Sequence, residues 1–178
     1  MSSGILFVIG ASGAGKTAAV MELAARPTSV ARCFYFDSIG VPSAEAMVRD
    51  FGSGEQWQLH ATKQWVDHLA ADGCNDVAVL DGQTRPSFIT AATAGTGSMC
   101  TSTVLLDCSP EVRASRLAVR GQPELASPQM TSWAEYLRGQ ADALGLPVVD
   151  TSALTIADVA DALERQVTRL RSAVAGAT

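Results

Sequence analysis

The sequence predicts an α/β protein in which helices cover both faces of a parallel sheet. Short apolar runs alternate along the chain with longer segments of helical spacing. The runs are continuous rather than alternating, which is typical of strands buried on both faces. The chain has 178 residues, of which 47% are hydrophobic and 17% charged. That is enough for one domain with a large core, so we expect a single domain over residues 1–178.

Five runs rich in β-branched or aromatic residues are the predicted strands. They are Ile5–Ile9, Cys33–Phe36, Val77–Leu80, Thr103–Leu106 and Pro147–Val149.

The segments between and after these runs have helical spacing. The predicted helices are Thr17–Ala25, Ala44–Phe51, Glu55–Ala71, Pro110–Arg120, Gln129–Leu144 and Ile156–Leu170. Three of them carry explicit start signals. Ser109 and Ser127 each precede a proline, and Thr155 with Asp158 forms a pattern like a capping box.

Composition excludes several classes of function. The formal net charge of −5 and the pI near 4.9 argue against a partner bound by bulk positive charge, whether nucleic acid or an anionic membrane. The apolar run near the N-terminus is too short for a signal segment or a membrane span. The four cysteines, Cys33, Cys74, Cys100 and Cys108, show no metal-site or disulfide spacing. These features predict a cytoplasmic protein and leave its oligomeric state open.

The segment after the first predicted strand matches the phosphate-binding pattern G-x-x-x-x-G-K-[ST] in full. It reads Gly10, Ala11, Ser12, Gly13, Ala14, Gly15, Lys16 and Thr17. Small residues allow backbone N–H groups and the following helix N-terminus to surround a phosphate. Lys16 is placed to reach the outer phosphates of a nucleoside triphosphate, and Thr17 offers a hydroxyl to Mg²⁺. We call this segment, residues 10–17, the P-loop.

Nearly the whole chain, from Gly4 to about Leu170, resembles the P-loop kinases of nucleosides and small molecules. This group includes the adenylate, shikimate and gluconate kinases. The guanine-binding N-K-x-D segment of GTPases and the signature of transport ATPases are both absent from the sequence. The resemblance implies a sheet of order 2-3-1-4-5 and the use of ATP and Mg²⁺. It also implies a lid over about 119–128 and an acceptor-binding helical region over about 38–73.

Two candidate residues follow the third predicted strand. Asp81 ends an apolar strand in the manner of a Walker B aspartate, which the resemblance places beside Mg²⁺ and its waters. The run Asp81, Gly82, Gln83, Thr84 and Arg85 is similar to a segment of nucleoside monophosphate kinases. There the arginine holds an anionic group of the phosphoryl acceptor, so Arg85 is a candidate acceptor anchor; a solvated or structural arginine is the alternative.

The helix after the fourth strand carries Arg113, Arg116 and Arg120, similar to the kinase pattern R-L-x-x-R followed by a lid. The last two are four residues apart and share a helical face. By resemblance Arg116 lies against the adenine and Arg120 reaches the transferring phosphoryl group. Arg113 and Arg138 are weaker candidates, and a solvated helix face is the alternative for all four. Thr151 lies in the segment that resembles the adenine-side loop, or equally a helix-entry turn.

Asp37 is the candidate residue for binding the acceptor. It follows the second strand, where the hydroxyl-phosphorylating members of the group have a carboxylate. Such a group can orient the acceptor hydroxyl or take its proton. Monophosphate kinases usually have an arginine three residues later, where this chain has Gly40. Within residues 38–73, two helical pairs have no assigned role and are most simply core and surface positions. They are Trp57 with His60, and Trp65 with His68.

These residues together predict an ATP- and Mg²⁺-dependent kinase that phosphorylates a hydroxyl of a small molecule. Lys16, Asp37 and Arg120 are the candidate catalytic residues. Asp37 and Arg85 are the candidate acceptor contacts, and Thr17 and Asp81 the candidate metal residues. Two alternatives remain: a nucleoside monophosphate kinase, and an ATP-binding regulatory protein without transfer activity. The sequence does not name the acceptor.

Overall fold

A computed structural model describes residues 4–27, 29, 31–71, 76–97 and 99–176. Its five strands form one sheet with every pairing parallel, in the order β2-β3-β1-β4-β5. The expected order is confirmed. Cys74 and the end of the expected acceptor region, residues 72–73, lie outside the described residues.

The strands are β1 (Gly4–Ile9), β2 (Arg32–Tyr35), β3 (Val77–Gly82), β4 (Cys100–Asp107) and β5 (Val148–Asp150). The helices are α1 (Lys16–Ala25), α2 (Ala44–Phe51), α3 (Gly54–Ala71), α4 (Pro86–Thr93), α5 (Pro110–Val119), α6 (Pro128–Leu144) and α7 (Ile156–Gly176). Single turns of 3-10 helix occupy Phe36–Ile39 and Pro123–Leu125.

The two faces of β1 explain why the sheet needs helices on both sides. Leu6 and Val8 point into a core shared with α1 and α7. Ile5, Phe7 and Ile9 point into a second core shared with α3, α4 and α6. Every residue of β1 is buried, which accounts for its continuous apolar sequence. The predicted covering of both faces is confirmed.

The helix starts behave as their sequences indicate. The Ser109 hydroxyl accepts a hydrogen bond from the Val112 N–H, and the Ser127 hydroxyl accepts one from the Met130 N–H. Thr155 and Asp158 form both hydrogen bonds of a capping box, at 3.0 and 3.2 Å. None of the helices in the described ranges is both long and apolar enough to cross a membrane.

Three local expectations differ from the structure. Helix α4 is missing from the predicted set, although Pro86 at its first position is an ordinary start signal. Strand β4 begins at Cys100 rather than Thr103, because its polar first residues pair with the buried strand β1. Phe36 leaves β2 one residue early and begins the 3-10 turn, where its carbonyl accepts a hydrogen bond from the Trp65 indole at 3.0 Å.

Candidate active site at the carboxyl edge of the sheet

A cavity of about 670 Å³ lies where the strands end on either side of β1. Within the sheet, β3 and β2 lie on one side of β1, and β4 and β5 lie on the other side. Such a reversal of strand order leaves a crevice at the carboxyl edge of a parallel sheet. The P-loop that follows β1 contributes Ser12, Gly13, Gly15, Lys16 and Thr17 to the wall of this cavity.

The P-loop glycines are required by close packing as well as by backbone shape. Gly13 has a φ of 84°, and a Cβ atom there would lie 2.8 Å from the Cγ atom of Arg113. Helix α5 therefore packs directly beneath the loop, and only glycine fits between them. The loop is held at a fixed distance from α5, with its Gly13 carbonyl accepting a hydrogen bond from Arg116 at 3.3 Å.

Lys16 lies in the wall of this cavity with only 8% of its surface exposed. Its ammonium donates one hydrogen bond, to the Ala11 carbonyl at 3.2 Å. Burial lowers the pKa of Lys16, and the negative charges of Asp81 and Asp37 offset only part of this effect. A buried ammonium with a single partner is suited to binding an anion that enters the cavity.

The Thr17 hydroxyl donates a 2.5 Å hydrogen bond to Oδ2 of Asp81. The other carboxylate oxygen, Oδ1, is buried and has no hydrogen-bond partner. Burial raises the pKa of Asp81, against the opposing effects of Lys16 and the Thr17 hydroxyl. An unpartnered buried carboxylate oxygen beside a hydroxyl fits a hard cation and its waters, such as Mg²⁺. Within the described ranges, no group of three or more His, Cys, Asp or Glu offers another metal site.

Asp37 lies across the cavity in the 3-10 turn after β2 and is exposed. The side chain of Phe36 fixes the position of this turn by packing closely on Gly82. A Cβ atom added to Gly82 would lie only 2.7 Å from the Cβ atom of Phe36. This contact explains the glycine directly after Asp81. The negative charges of Asp37 and Asp81 both act on the Lys16 ammonium, so the three groups face a common space.

Arg116 and Thr151 join the far end of the cavity to the P-loop. Arg116 donates to the hydroxyl of Thr151 at 2.9 Å and to its carbonyl at 2.6 Å. The Thr151 hydroxyl in turn donates to the Ala14 carbonyl at 2.9 Å. Both residues line the cavity, together with the apolar side chains Leu154, Ile156 and Val159. This end of the cavity therefore combines apolar side chains with the Arg116 guanidinium.

The other arginines of the predicted lid have different positions. Arg120 lines the cavity, and its Nε donates to the Gln122 side chain at 2.7 Å. Arg113 is buried and donates to Asp107 at 3.1 Å and to the Cys108 carbonyl at 3.0 Å, which fixes α5 to the end of β4. Arg138 lies outside the residues that line the cavity and pairs with Asp142 at 3.1 Å.

Arg85 also lies outside the residues that line the cavity. Its Nη1 donates to the Gln58 side chain at 2.6 Å, and its Nη2 is 3.9 Å from the Glu55 carboxylate. Its guanidinium carbon lies 4.9 Å from the centroid of Trp133 and 5.1 Å from that of Phe88. The sequence predicts that Arg85 faces the acceptor, whereas these contacts direct it into the junction of α3, α4 and α6.

Sequence reasoning missed two glutamines that organise this side of the cavity. Gln58 donates to the Gln83 carbonyl at 2.6 Å, and the Gln83 side chain donates to the Ser12 hydroxyl at 2.6 Å. A chain of contacts thus runs from Arg85 through both glutamines to the P-loop. Single glutamines on a helix and in a loop carry no spacing signal, so only the folded structure shows this chain.

The aromatic pairs of the expected acceptor region are core and surface positions. Trp65 is buried, and Trp57 is half-buried with its ring edge-on to Phe36. His60 and His68 are exposed on α3. Trp65 thus belongs to the core, Trp57 packs at the edge of that core, and both histidines are surface positions.

Comparison with solved structures identifies the fold. A gluconokinase from Sinorhizobium meliloti superposes with a TM-score of 0.67 and 18% identity over 96% of this chain and 95% of that one. A sugar kinase from Janibacter sp. gives 0.61 and 16% over 98% of both chains. The shikimate kinase of Acinetobacter baumannii gives 0.60 and 14% over 93% of both. The chain has the P-loop kinase fold.

Comparison by sequence gives no match to a family model or to a curated protein. This chain and the solved structures therefore share a fold at sequence identities so low that most side chains differ. One fold can carry many functions, so the residues that line this cavity decide which chemistry the protein can perform.

Proposed function

We propose that the protein is a kinase that transfers the γ-phosphoryl group of ATP to a hydroxyl group of a small molecule. The single observation that carries this proposal is the arrangement of Lys16, Thr17, Asp81 and Asp37 around one cavity. It combines a buried cation for phosphates, a hydroxyl and carboxylate for a metal, and a second carboxylate for an acceptor. The kinases among the structural neighbours support the same class of reaction.

The metal residues fit Mg²⁺ by their chemistry. Thr17 would be the direct ligand and Asp81 would hold the coordinated waters through its unpartnered Oδ1. When bound, the ion would neutralise charge on the outer phosphates and stabilise the charge that develops during transfer. The Thr17–Asp81 hydrogen bond keeps both groups in place beforehand, so that little reorganisation is needed on binding.

The protein side chains supply position and charge. Lys16 binds the outer phosphates, and Arg120 approaches the transferring group from the lid side of the cavity. Arg116, held by Thr151, forms the wall against which the base lies. Transfer breaks the bond between the γ-phosphorus and the oxygen bridging it to the β-phosphate, and forms a bond from the acceptor oxygen to the γ-phosphorus. Asp37 orients the acceptor hydroxyl and receives its proton.

The Asp81→Asn variant tests the metal part of this proposal. The magnesium concentration needed for half-maximal ADP formation should rise by about 10–100-fold, since residues that hold a metal through water contribute about that much to its affinity. ADP formation is measured with a pool of hydroxyl compounds as acceptors across a magnesium titration. The stabilisation conferred by magnesium and a non-hydrolysable ATP analogue is followed as a shift in Tm.

Asp76→Asn is the matched control, because Asp76 lies just before the same strand, half-exposed and paired with Arg171. Its magnesium titration should equal that of the unmodified protein. If Asp81→Asn also gave the unmodified titration, Asp81 would have no part in a metal site.

A further inference from the structure

The end of the cavity that faces the acceptor has an unusual charge distribution. It is formed by the last residues of β2 and β3 and the residues directly after them, which we call the acceptor end: Tyr35, Phe36, Asp37, Asp81, Gly82 and Gln83. Two of these six residues are carboxylates, and none is a cation. The cations that line the described part of the cavity are Lys16 of the P-loop, Arg116 of α5 and Arg120, which directly follows α5.

Arg85 is the cation that the sequence assigns to the acceptor, but its guanidinium is engaged by other side chains of the protein. Its side chain is 22% exposed and faces Glu55 at 3.9 Å, and it donates to Gln58 at 2.6 Å. Three aromatic rings surround its guanidinium, with centroids at 4.9 to 5.9 Å. A guanidinium that donates to a side-chain amide and lies among three aromatic rings is held in that position rather than directed into the cavity.

The contacts of Arg85 indicate a structural role rather than binding of the acceptor. It holds Gln58, which holds the backbone of Gln83, and the Gln83 side chain is hydrogen-bonded to Ser12 of the P-loop. Arg85 is therefore a positioning residue that fixes α3 and the loop after β3 against the P-loop.

The remaining groups of the acceptor end favour hydroxyl groups and apolar surface. The exposed Asp37 carboxylate accepts hydrogen bonds and donates none when ionised. The half-buried Tyr35 supplies a ring and a phenol. An acceptor carboxylate or phosphate placed here would lie beside Asp37 and Asp81. Lys16, the cation that faces the same space, is taken by the outer phosphates of ATP in the proposed function, so the charge of such an acceptor would stay unbalanced.

We propose that the acceptor carries no negative charge: the site takes an uncharged or cationic, hydroxyl-bearing molecule with an apolar or ring face. This inference rests on the proposed kinase function. It selects against acids and nucleoside monophosphates as acceptors, and it names the charge class that the sequence left open.

The test separates a polar small-molecule extract by charge before the reaction. An anion-exchange column at neutral pH gives an unretained pool, which holds neutral and cationic compounds, and a retained pool, which holds anions. Each pool is incubated with the protein, magnesium and ATP labelled in its γ-phosphoryl group, and label in organic phosphate esters is measured. We expect at least about tenfold more ester in the unretained pool, in line with the cost of unbalanced like charges.

Ester formed mainly in the retained pool, or equally in both, would overturn the inference and leave the kinase proposal standing. Absence of ester from both pools would overturn the kinase proposal, and the inference would fall with it.

The Arg85→Gln variant distinguishes a positioning residue from an acceptor anchor. As a positioning residue, its loss should lower Tm and reduce ester formation in both pools by the same factor, so the ratio between pools stays unchanged. A selective loss of label from the retained pool would show that Arg85 binds anionic acceptors, which contradicts the inference.

Discussion

Replacement of Lys16 by methionine should abolish ATP-dependent phosphoryl transfer and, at the same time, stabilise the protein without ligand. The lysine ammonium is buried with one hydrogen-bond partner, and burial lowers its pKa despite nearby carboxylates. Methionine keeps most of the side-chain volume and removes the charge. The lowered pKa sets the direction of the expected change, a rise in Tm of the protein without ligand. Tm and ADP formation are measured on the same preparations.

The gain in stability should depend on pH. Because the folded protein binds this proton less tightly than the unfolded chain, the charged lysine destabilises the fold at neutral pH. This penalty disappears as the pH rises from the lowered pKa toward the ordinary lysine value. The advantage of the methionine variant should therefore be smaller at pH 9.5 than at pH 7.

Lys63→Met is the matched control for this prediction, since Lys63 is the other lysine of the chain and is exposed on α3. Its Tm and its ADP formation should equal those of the unmodified protein. Retention of turnover by the Lys16 variant would contradict the role given to the P-loop.

Replacement of Asp37 by asparagine should remove most of the transfer activity and leave ATP binding intact. Asparagine is nearly the same size but cannot take the proton of the acceptor hydroxyl. General-base catalysis contributes about 10²–10⁴-fold to kcat, and a loss in that range is expected. The variant should still show the rise in Tm caused by magnesium and ATP, because Lys16, Thr17 and Asp81 are unchanged. Calorimetric titration with an ATP analogue measures binding separately from turnover.

Asp50→Asn is the control here, since Asp50 is exposed on α2 and pairs with Arg49 at 2.7 Å. It should leave both binding and kcat unchanged. Equal kcat for the Asp37 variant and the unmodified protein would remove Asp37 from the reaction.

Most of the architecture could be predicted because burial dictates it. A strand such as β1, covered on both faces, must be apolar at every position, and this run is visible in the sequence. Helix starts such as Ser109 are equally visible, because the cap is a local hydrogen bond. Helix α4 is not predicted because its apolar pattern is weak. Helix α2 has the same length of eight residues but a clear apolar face, and it is predicted.

The candidate site likewise has residues that the sequence predicts and residues whose partners depend on tertiary packing. The P-loop and the strand-end carboxylate Asp81 were predicted because their chemistry constrains local sequence. The Thr17–Asp81 hydrogen bond joins residues 64 positions apart and confirms that the two segments meet. The environment of Arg85 could not be predicted, since it depends on Gln58 and Trp133 from distant helices. A motif fixes where an arginine is in the chain, whereas its partners are decided by packing.

The distribution of charge follows from this arrangement. The protein carries a formal net charge of −5, yet three cations line one cavity and face the space where a triphosphate would bind. The acceptor end of the same cavity is acidic. In the proposed function, the cations would bind the phosphates of the nucleotide and the carboxylates would meet the hydroxyl groups of the acceptor.

The most direct measurement of the central claim is the fate of the γ-phosphoryl group, followed by phosphorus-31 NMR. The protein is incubated with ATP, magnesium and the unretained acceptor pool, and the signals of ADP, phosphate esters and inorganic phosphate are integrated. A kinase should form one phosphate ester for each ADP, with little inorganic phosphate and little ADP when the pool is omitted. Inorganic phosphate in place of ester, or no ADP at all, would contradict the assignment of this cavity as the active site of a kinase.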